Sequence, residues 1–134
     1  MAQSVGPRGE TLRIGNLGTP VDGITVEIPA GALEQVATVT LSYNTGTLSL
    51  PSGESSGVFL GVAVDRVKTF QQLVTIRVPY NVQRHAGAVI VGYSIDDKDR
   101  LRAVNTESQD NKTGTVTFST FVSLLLTWVY ASVQ

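Results

Sequence analysis

Wherever this chain is regular, it alternates with a period of two. In "GITVEI", Ile24, Val26 and Ile28 fall on one side of an extended strand, and Thr25 and Glu27 fall on the other. "ATVTLSY" repeats the pattern with Val39, Leu41 and Tyr43, and "VTIRVPY" repeats it with Val74, Ile76 and Val78. Successive side chains of a strand point to opposite faces, so this pattern fits antiparallel sheet with one dry face and one wet face. No window of about 12 residues sustains a 3.6-residue apolar period, which limits helix to a turn or so, such as 31–36.

"GVFLGVAVD" (57–65) and "AVIVGYSI" (88–95) are more continuously apolar, as expected for strands near the middle of a sheet or partly covered on both sides. "RLRAV", "GTVTF" and "FVSLLLTWVYAS" add three more segments, with "TLRI" (11–14) as a short edge strand. Turn-forming clusters separate them: "NTG", "PSGESSG", "DDKD" and "DNKTG". The expectation is an all-β chain: an antiparallel two-layer β-sandwich of about eight or nine strands. Residues 1–10 read as a flexible N-terminal arm and 11–134 as a single domain.

The stretch "ITVEIPAGAL" (24–33) starts as a strand and stops abruptly. Pro29 has no N–H for a ladder, so the strand ends there or lies at an edge. Gly31 supplies freedom for a tight reversal, and Leu33 can drop back beneath the sheet to plug one end of the core. The segment reads as a structural corner.

Composition narrows the function classes. Hydrophobic residues make up 42% of the chain and charged ones 16%, enough apolar surface to fold alone. Ten Lys and Arg face 11 Asp and Glu with no run of either sign, which removes support for nucleic acid or anionic membrane surfaces as partners. There is no cysteine, hence no disulfide or thiolate metal site, and the redox compartment stays open. The apolar stretch 121–133 is shorter than the ~20 residues of a membrane-spanning helix and is expected to be a strand, without membrane insertion. "MAQSVGPRGE" has no apolar signal core, which leaves a cytosolic chain or a mature or excised segment.

The order of "GITVEIPAGALEQVATVTLSY", "VDRVKTFQQLVTIRVPYN", "VIVGYSIDDKDRLRAV" and "TGTVTFSTFVSLLLTW" resembles the ZU-type domain. That family takes its name from zonula occludens and Unc-type netrin receptors and also occurs in ankyrins. The likeness is to its bacterial cell-surface and secreted variant, and it covers about residues 20–130. It implies an extracellular or cell-surface module for protein–protein contact, adhesion or spacing. The partner would be another protein or a neighbouring domain of the same polypeptide. Some animal members cut themselves at a His-Phe-Ser tripeptide. Here Thr117 stands before Phe118 and Ser119, so the histidine base is missing.

Other constellations bear on chemistry. "GESSG" places Ser55 in the Gly-x-Ser-x-Gly form of a nucleophile elbow, but a strand rather than a helix follows, and His85 is the only imidazole. A lone histidine cannot build a histidine metal cluster. "SIDDKDR" groups Asp96, Asp97 and Asp99, a weak calcium candidate that lacks the glycine and distal Glu of a calcium loop and is offset by Lys98 and Arg100. "NKT" at 111–113 has the form of a glycosylation acceptor and also of a plain turn. Phe118, Phe121, Trp128 and Tyr130 suggest either a carbohydrate platform or core packing, and parity favours the core.

The leading expectation is a non-enzymatic contact module with no cofactor. The alternatives are a self-assembling subunit exchanging strands through its termini, with a homo-oligomer as the result, and a carbohydrate-binding module. With no histidine before Ser119, purified protein should run as one intact chain in denaturing electrophoresis. Two fragments appearing on incubation would overturn that reading.

Overall fold

A computed structural model describes residues 2–15, 22–46, 54–65, 67, 69–84, 87–96, 98 and 100–132. The protein is all-β, 68% strand, and has no helix among the described residues. Eleven strands follow in chain order: β1 (Ala2–Val5), β2 (Glu10–Arg13), β3 (Thr25–Ile28), β4 (Ala37–Thr45), β5 (Glu54–Ser55), β6 (Val58–Val64), β7 (Thr69–Pro79), β8 (Ala88–Ile95), β9 (Leu101–Asp110), β10 (Thr115–Val122) and β11 (Leu124–Ser132). The two beyond the expected set are β1 and the two-residue β5. The turn of helix expected at 31–36 is a series of turns and bends instead.

The strands form one antiparallel sheet in the order β1-β4-β6-β11-β8-β9-β10-β7-β3-β2, with β5 added beside β11. The sheet curls until it is nearly closed into a barrel, which corrects the expected two-layer sandwich. The physical reason lies in β9. Its first half pairs with β8, Leu101 opposite Ile95 and Val104 opposite Gly92. Its second half pairs with β10, Asn105 opposite Ser119 and Asp110 opposite Thr115. A register shift between Thr117 and Phe118 marks a bulge, which bends a strand and raises its twist. One long strand therefore belongs to both halves and joins them.

The alternation of the sequence becomes the core. Ile24, Val26 and Ile28 on the β3 side, Val74, Ile76 and Val78 on β7, and Val39 and Leu41 on β4 are all buried. Tyr43, of the same parity near the end of β4, is exposed. Gly92 on β8 lets the fully buried Phe118 of β10 come close: a Cβ there would stand 2.7 Å from Phe118 Cε1.

The corner after β3 closes one end of the barrel. The Ala32 N–H donates to Pro29 O (3.2 Å), the Gln71 N–H donates to Ala32 O (3.0 Å), and Ala32 and Leu33 are buried. Gly31 sits at φ 84°, in the left-handed region, and its N–H donates to Pro7 O at 2.8 Å. Residues 2–13 are therefore not a loose arm. β1 pairs with β4 along Ala2–Val5, Val5 is buried, and β2 pairs with β3. Between them Gly9, at φ 77°, lies backbone on backbone against the corner, where a Cβ would meet the Ile28 carbonyl oxygen and come within 2.6 Å of the Pro29 carbonyl carbon.

Two substitutions separate these effects. Gly31→Ala has room, with Gln72 Cγ 3.6 Å away, and should cost only the left-handed backbone, about 1–2 kcal/mol. Gly9→Ala adds a backbone clash and should cost clearly more than that, with overpacking alone worth about 1–3 kcal/mol. Urea unfolding midpoints at constant slope measure the difference, and equal losses would contradict the backbone contact.

Candidate functional site

At the corner end, a groove of about 310 Å³ opens between the 32–36 corner, the start of β4, the β6–β7 turn and the start of β7. Backbone bonds fix its walls: the Asp65 N–H donates to Thr38 O at 2.9 Å, Val67 N–H to Val64 O at 3.2 Å, and Gln71 N–H to Ala32 O at 3.0 Å. Val36, 70% exposed, stands on its rim. The other side chains along it are small apolar groups, the Thr38 and Thr69 hydroxyls, the Gln35 and Gln71 amides, and the carboxylates of Glu34 and Asp65. The described residues that line it offer apolar contact and hydrogen-bonding groups.

The acidic turn at 96–99 reads differently in three dimensions. Asp96 Oδ1 accepts the N–H groups of Lys98 and Arg100, both at 2.9 Å, and Oδ2 accepts Arg100 Nε at 2.8 Å. The Arg100 N–H holds the Asp96 carboxyl below its ordinary value, with help from the Lys98 N–H and the Arg100 guanidinium. Both oxygens are taken up by the turn itself. Asp97 and Asp99 lie outside the described residues, and no cluster of three metal-ligating side chains occurs among the described ones. Asp110 plays the same part between β9 and β10, held below its usual value by the N–H of Lys112 and then that of Thr113. Asn111 of "NKT" lies in that turn, its Oδ1 accepting from Tyr80 OH and from Gln109 Nε2.

Ser119 is buried, and sequence reasoning missed its neighbour. Its Oγ donates to Glu107 Oε1 at 2.7 Å, while Asn105 Nδ2 donates to both Ser119 Oγ and Glu107 Oε1 at 2.9 Å. The bulge puts Glu107 there, and a period-two reading cannot place a bulged residue. The three side chains satisfy one another as a polar clamp over the bulge. Gln109 was also overlooked. Its amide accepts the Ile90 N–H and donates to Ala88 O, both at 2.9 Å, standing in for a strand where β9 has turned away from β8.

Ser55 lies in β5, opposite Val129, with β6 beginning three residues later, so the strand-turn-helix of a nucleophile elbow does not form around it. Gly53 and His85 lie outside the described residues. The four aromatic residues do not share a face in solvent. Phe118 and Trp128 are core, Trp128 only 2% exposed with its Nε1–H donating to Tyr130 OH at 3.1 Å, while Phe121 is 50% exposed.

No family model matches this chain, and no curated protein is significantly similar to it. Among the described residues no helix is long and apolar enough to cross a membrane.

Two checks follow from these contacts. Gln109→Ala strips partners from a backbone N–H and a C=O and should cost about 1–3 kcal/mol in urea unfolding, whereas Gln109→Glu should recover less than full stability because it cannot donate to Ala88 O. Asp96 and Asp110 have lowered values in the folded state, so their stabilisation is present above the unfolded carboxylate value and is lost as pH falls through the folded one. Asp96→Asn and Asp110→Asn should therefore lower the urea midpoint near neutral pH, and the gap from wild type should narrow as pH falls below the unfolded carboxylate value.

Proposed function

We propose that this chain is a non-enzymatic contact module of the ZU-type kind, working outside the cell or at its surface and binding a protein or a neighbouring domain of its own polypeptide. The observation that carries this reading is the groove beside the "IPAGAL" corner, rigidly strutted by backbone bonds and rimmed by the exposed Val36. Such a surface suits the recognition of another surface, with Val36 as an apolar contact and the hydroxyls, amides and carboxylates along the groove as hydrogen-bonding groups around it. The kinship is supported by the order of sequence motifs and by the way "IPAGAL" seals the barrel.

Contact is favoured over linear spacing by strand direction. β1 runs opposite to β11, through the antiparallel series β1-β4-β6-β11, so the described chain enters and leaves toward the same end, opposite the groove. A carbohydrate platform is disfavoured by the burial of Phe118 and Trp128. Strand exchange through β11 is disfavoured because β11 is paired on both sides. Among the described strands β1 and β2 end the sheet, and both are short, as is β5 beside β11.

A peptide-display selection on the wild-type protein, counter-selected on Val36→Asp, tests the reading. Recovery of ligands that lose at least tenfold in affinity on Val36→Asp is expected. Ligands indifferent to that change would discard the groove, and a strong response on a glycan array would move the function to carbohydrate.

A further inference from the structure

The buried hydroxyl of Ser119 sits between a carboxylate and a carboxamide. Its Oγ donates to Glu107 Oε1 at 2.7 Å, and Asn105 Nδ2 donates to both of those oxygens at 2.9 Å. The three polar atoms form a closed triangle: a nucleophile, a base already in contact with its proton, and the nitrogen of a group that could be its acyl donor. Elsewhere a hydroxyl meets an amide without a base. Tyr80 OH donates to Asn111 Oδ1, which also accepts from Gln109 Nε2, with no carboxylate oxygen bonded to Tyr80 or Asn111. Register builds the triangle. Asn105 lies directly opposite Ser119 across β9 and β10, and the bulge between Thr117 and Phe118 brings Glu107 alongside.

We propose that these side chains cross-link β9 to β10 through an ester between Ser119 Oγ and the side-chain carbonyl carbon of Asn105. The Asn105 amide turns about its Cβ–Cγ bond, a soft torsion, so that the carbon, one bond from Nδ2, faces Oγ. As the Oγ–Cγ bond forms, Glu107 Oε1 takes the hydroxyl proton. As the Cγ–Nδ2 bond breaks, the same oxygen, within reach of both atoms, passes that proton to the nitrogen. One ammonia leaves per chain and the carboxylate is restored, with nothing oxidised or reduced and no co-reactant. Holding the two groups on paired strands supplies proximity, which in well-oriented intramolecular reactions is worth effective molarities of about 10⁵–10⁸ M. Asn105 and Glu107 are exposed, so ammonia has a direct way out. Cross-strand partners hold their Cβ atoms about 4.5–5.5 Å apart, and an ester puts three bonds between them, as a disulfide does at about 3.8 Å, so the strands draw together by about 1 Å. They do so beside a bulge, where the ladder is already irregular. The tie falls where β9 passes from one half of the barrel to the other: Val104 ends its pairing with β8, and Asn105 begins its pairing with β10. The chain has no cysteine, so no disulfide can hold that junction. The reaction is confined to the chain and occurs once, and it does not depend on the contact-module reading.

Intact mass spectrometry of the full chain, folded and incubated at neutral pH, tests this. Wild type is expected to lose the mass of one ammonia. Trypsin cuts after Arg102 and Lys112 and should then release residues 103–112 joined to residues 113–134. An Asn105 that had cyclised onto its own backbone would lose the same ammonia but leave the two peptides apart. Hydroxylamine, which cleaves esters, should separate the joined pair. Ser119→Ala should keep its full mass, and Glu107→Gln should form the link at least about a hundredfold more slowly for want of a base. The joined peptides are read on wild type, so a variant that fails to fold by circular dichroism does not stop the test from deciding. A folded wild type that keeps its full mass overturns the proposal and leaves the three side chains as a hydrogen-bonded clamp. Ammonia loss without joined peptides, joined peptides in Ser119→Ala, or a folded Glu107→Gln that links at the wild-type rate overturns it equally.

Discussion

The barrel closes because two stretches of backbone can touch where side chains would keep them apart. β1 and β2 are consecutive in the chain but lie at opposite ends of the sheet, so the turn between them must carry the chain from one half of the barrel to the other. Gly9 rests against the carbonyls of the corner, and the Gly31 N–H reaches Pro7 O. Two glycines on different segments thus make one joint. Through it the edges of the sheet meet, helped at the surface by Gln3 Nε2 donating to Glu10 Oε1 at 3.0 Å, and the rim above Leu33 is sealed. A sheet whose edge strands are short and brought together presents little template for uncontrolled pairing.

Elsewhere the curl forces neighbouring strands to part, and a polar side chain serves the backbone groups left behind at each parting. Where β9 leaves β8, the Gln109 amide takes the Ile90 N–H and Ala88 O. Pairing of β6 with β11 ends at Leu60 and Leu126. Just beyond, the Thr127 hydroxyl donates to Val58 O at 2.7 Å, and the Ser56 N–H reaches Trp128 O. No buried side-chain nitrogen or oxygen among the described residues is left without a partner. An unpaired buried polar group costs about 1–3 kcal/mol, so these substitutes are conditions for the curl rather than ornaments of it.

What the sequence discloses and what it hides divide along the range of the interaction. Alternation is local, so Ile24, Val26, Val74 and Ile76 could be assigned to the core in advance, and Pro29 with Gly31 announced a corner. Asp96 and Asp110, each bonding backbone two to four residues on, follow ordinary turn chemistry. The ordering of residues 2–9 could not be read because it depends on a bond from Pro7 to Gly31 and on pairing with β4. Barrel and sandwich share one alternation pattern and differ in whether β9 is shared between halves, a matter of distant register. Glu107 escaped notice beside Ser119 because a bulge breaks the period that would have located it.

The filled interior bears on where any function must reside. With Phe118 against Gly92, and with Val26 and Ile28 of β3 and Phe70, Val74, Ile76 and Val78 of β7 buried, the layer between Gly92 and Phe118 is occupied by packed protein atoms. Recognition then falls to the rim and the outer faces, which obey different constraints. Inward positions must be apolar whatever the protein does. Outward positions are under no such demand, which makes their chemistry the more informative part of the sequence. On β2, β3 and β7 they bear the charges expected of a solvated face, and on β1, β4, β6, β11 and β8 they bear none. Folding alone does not require that difference, since an outward lysine would leave the core untouched.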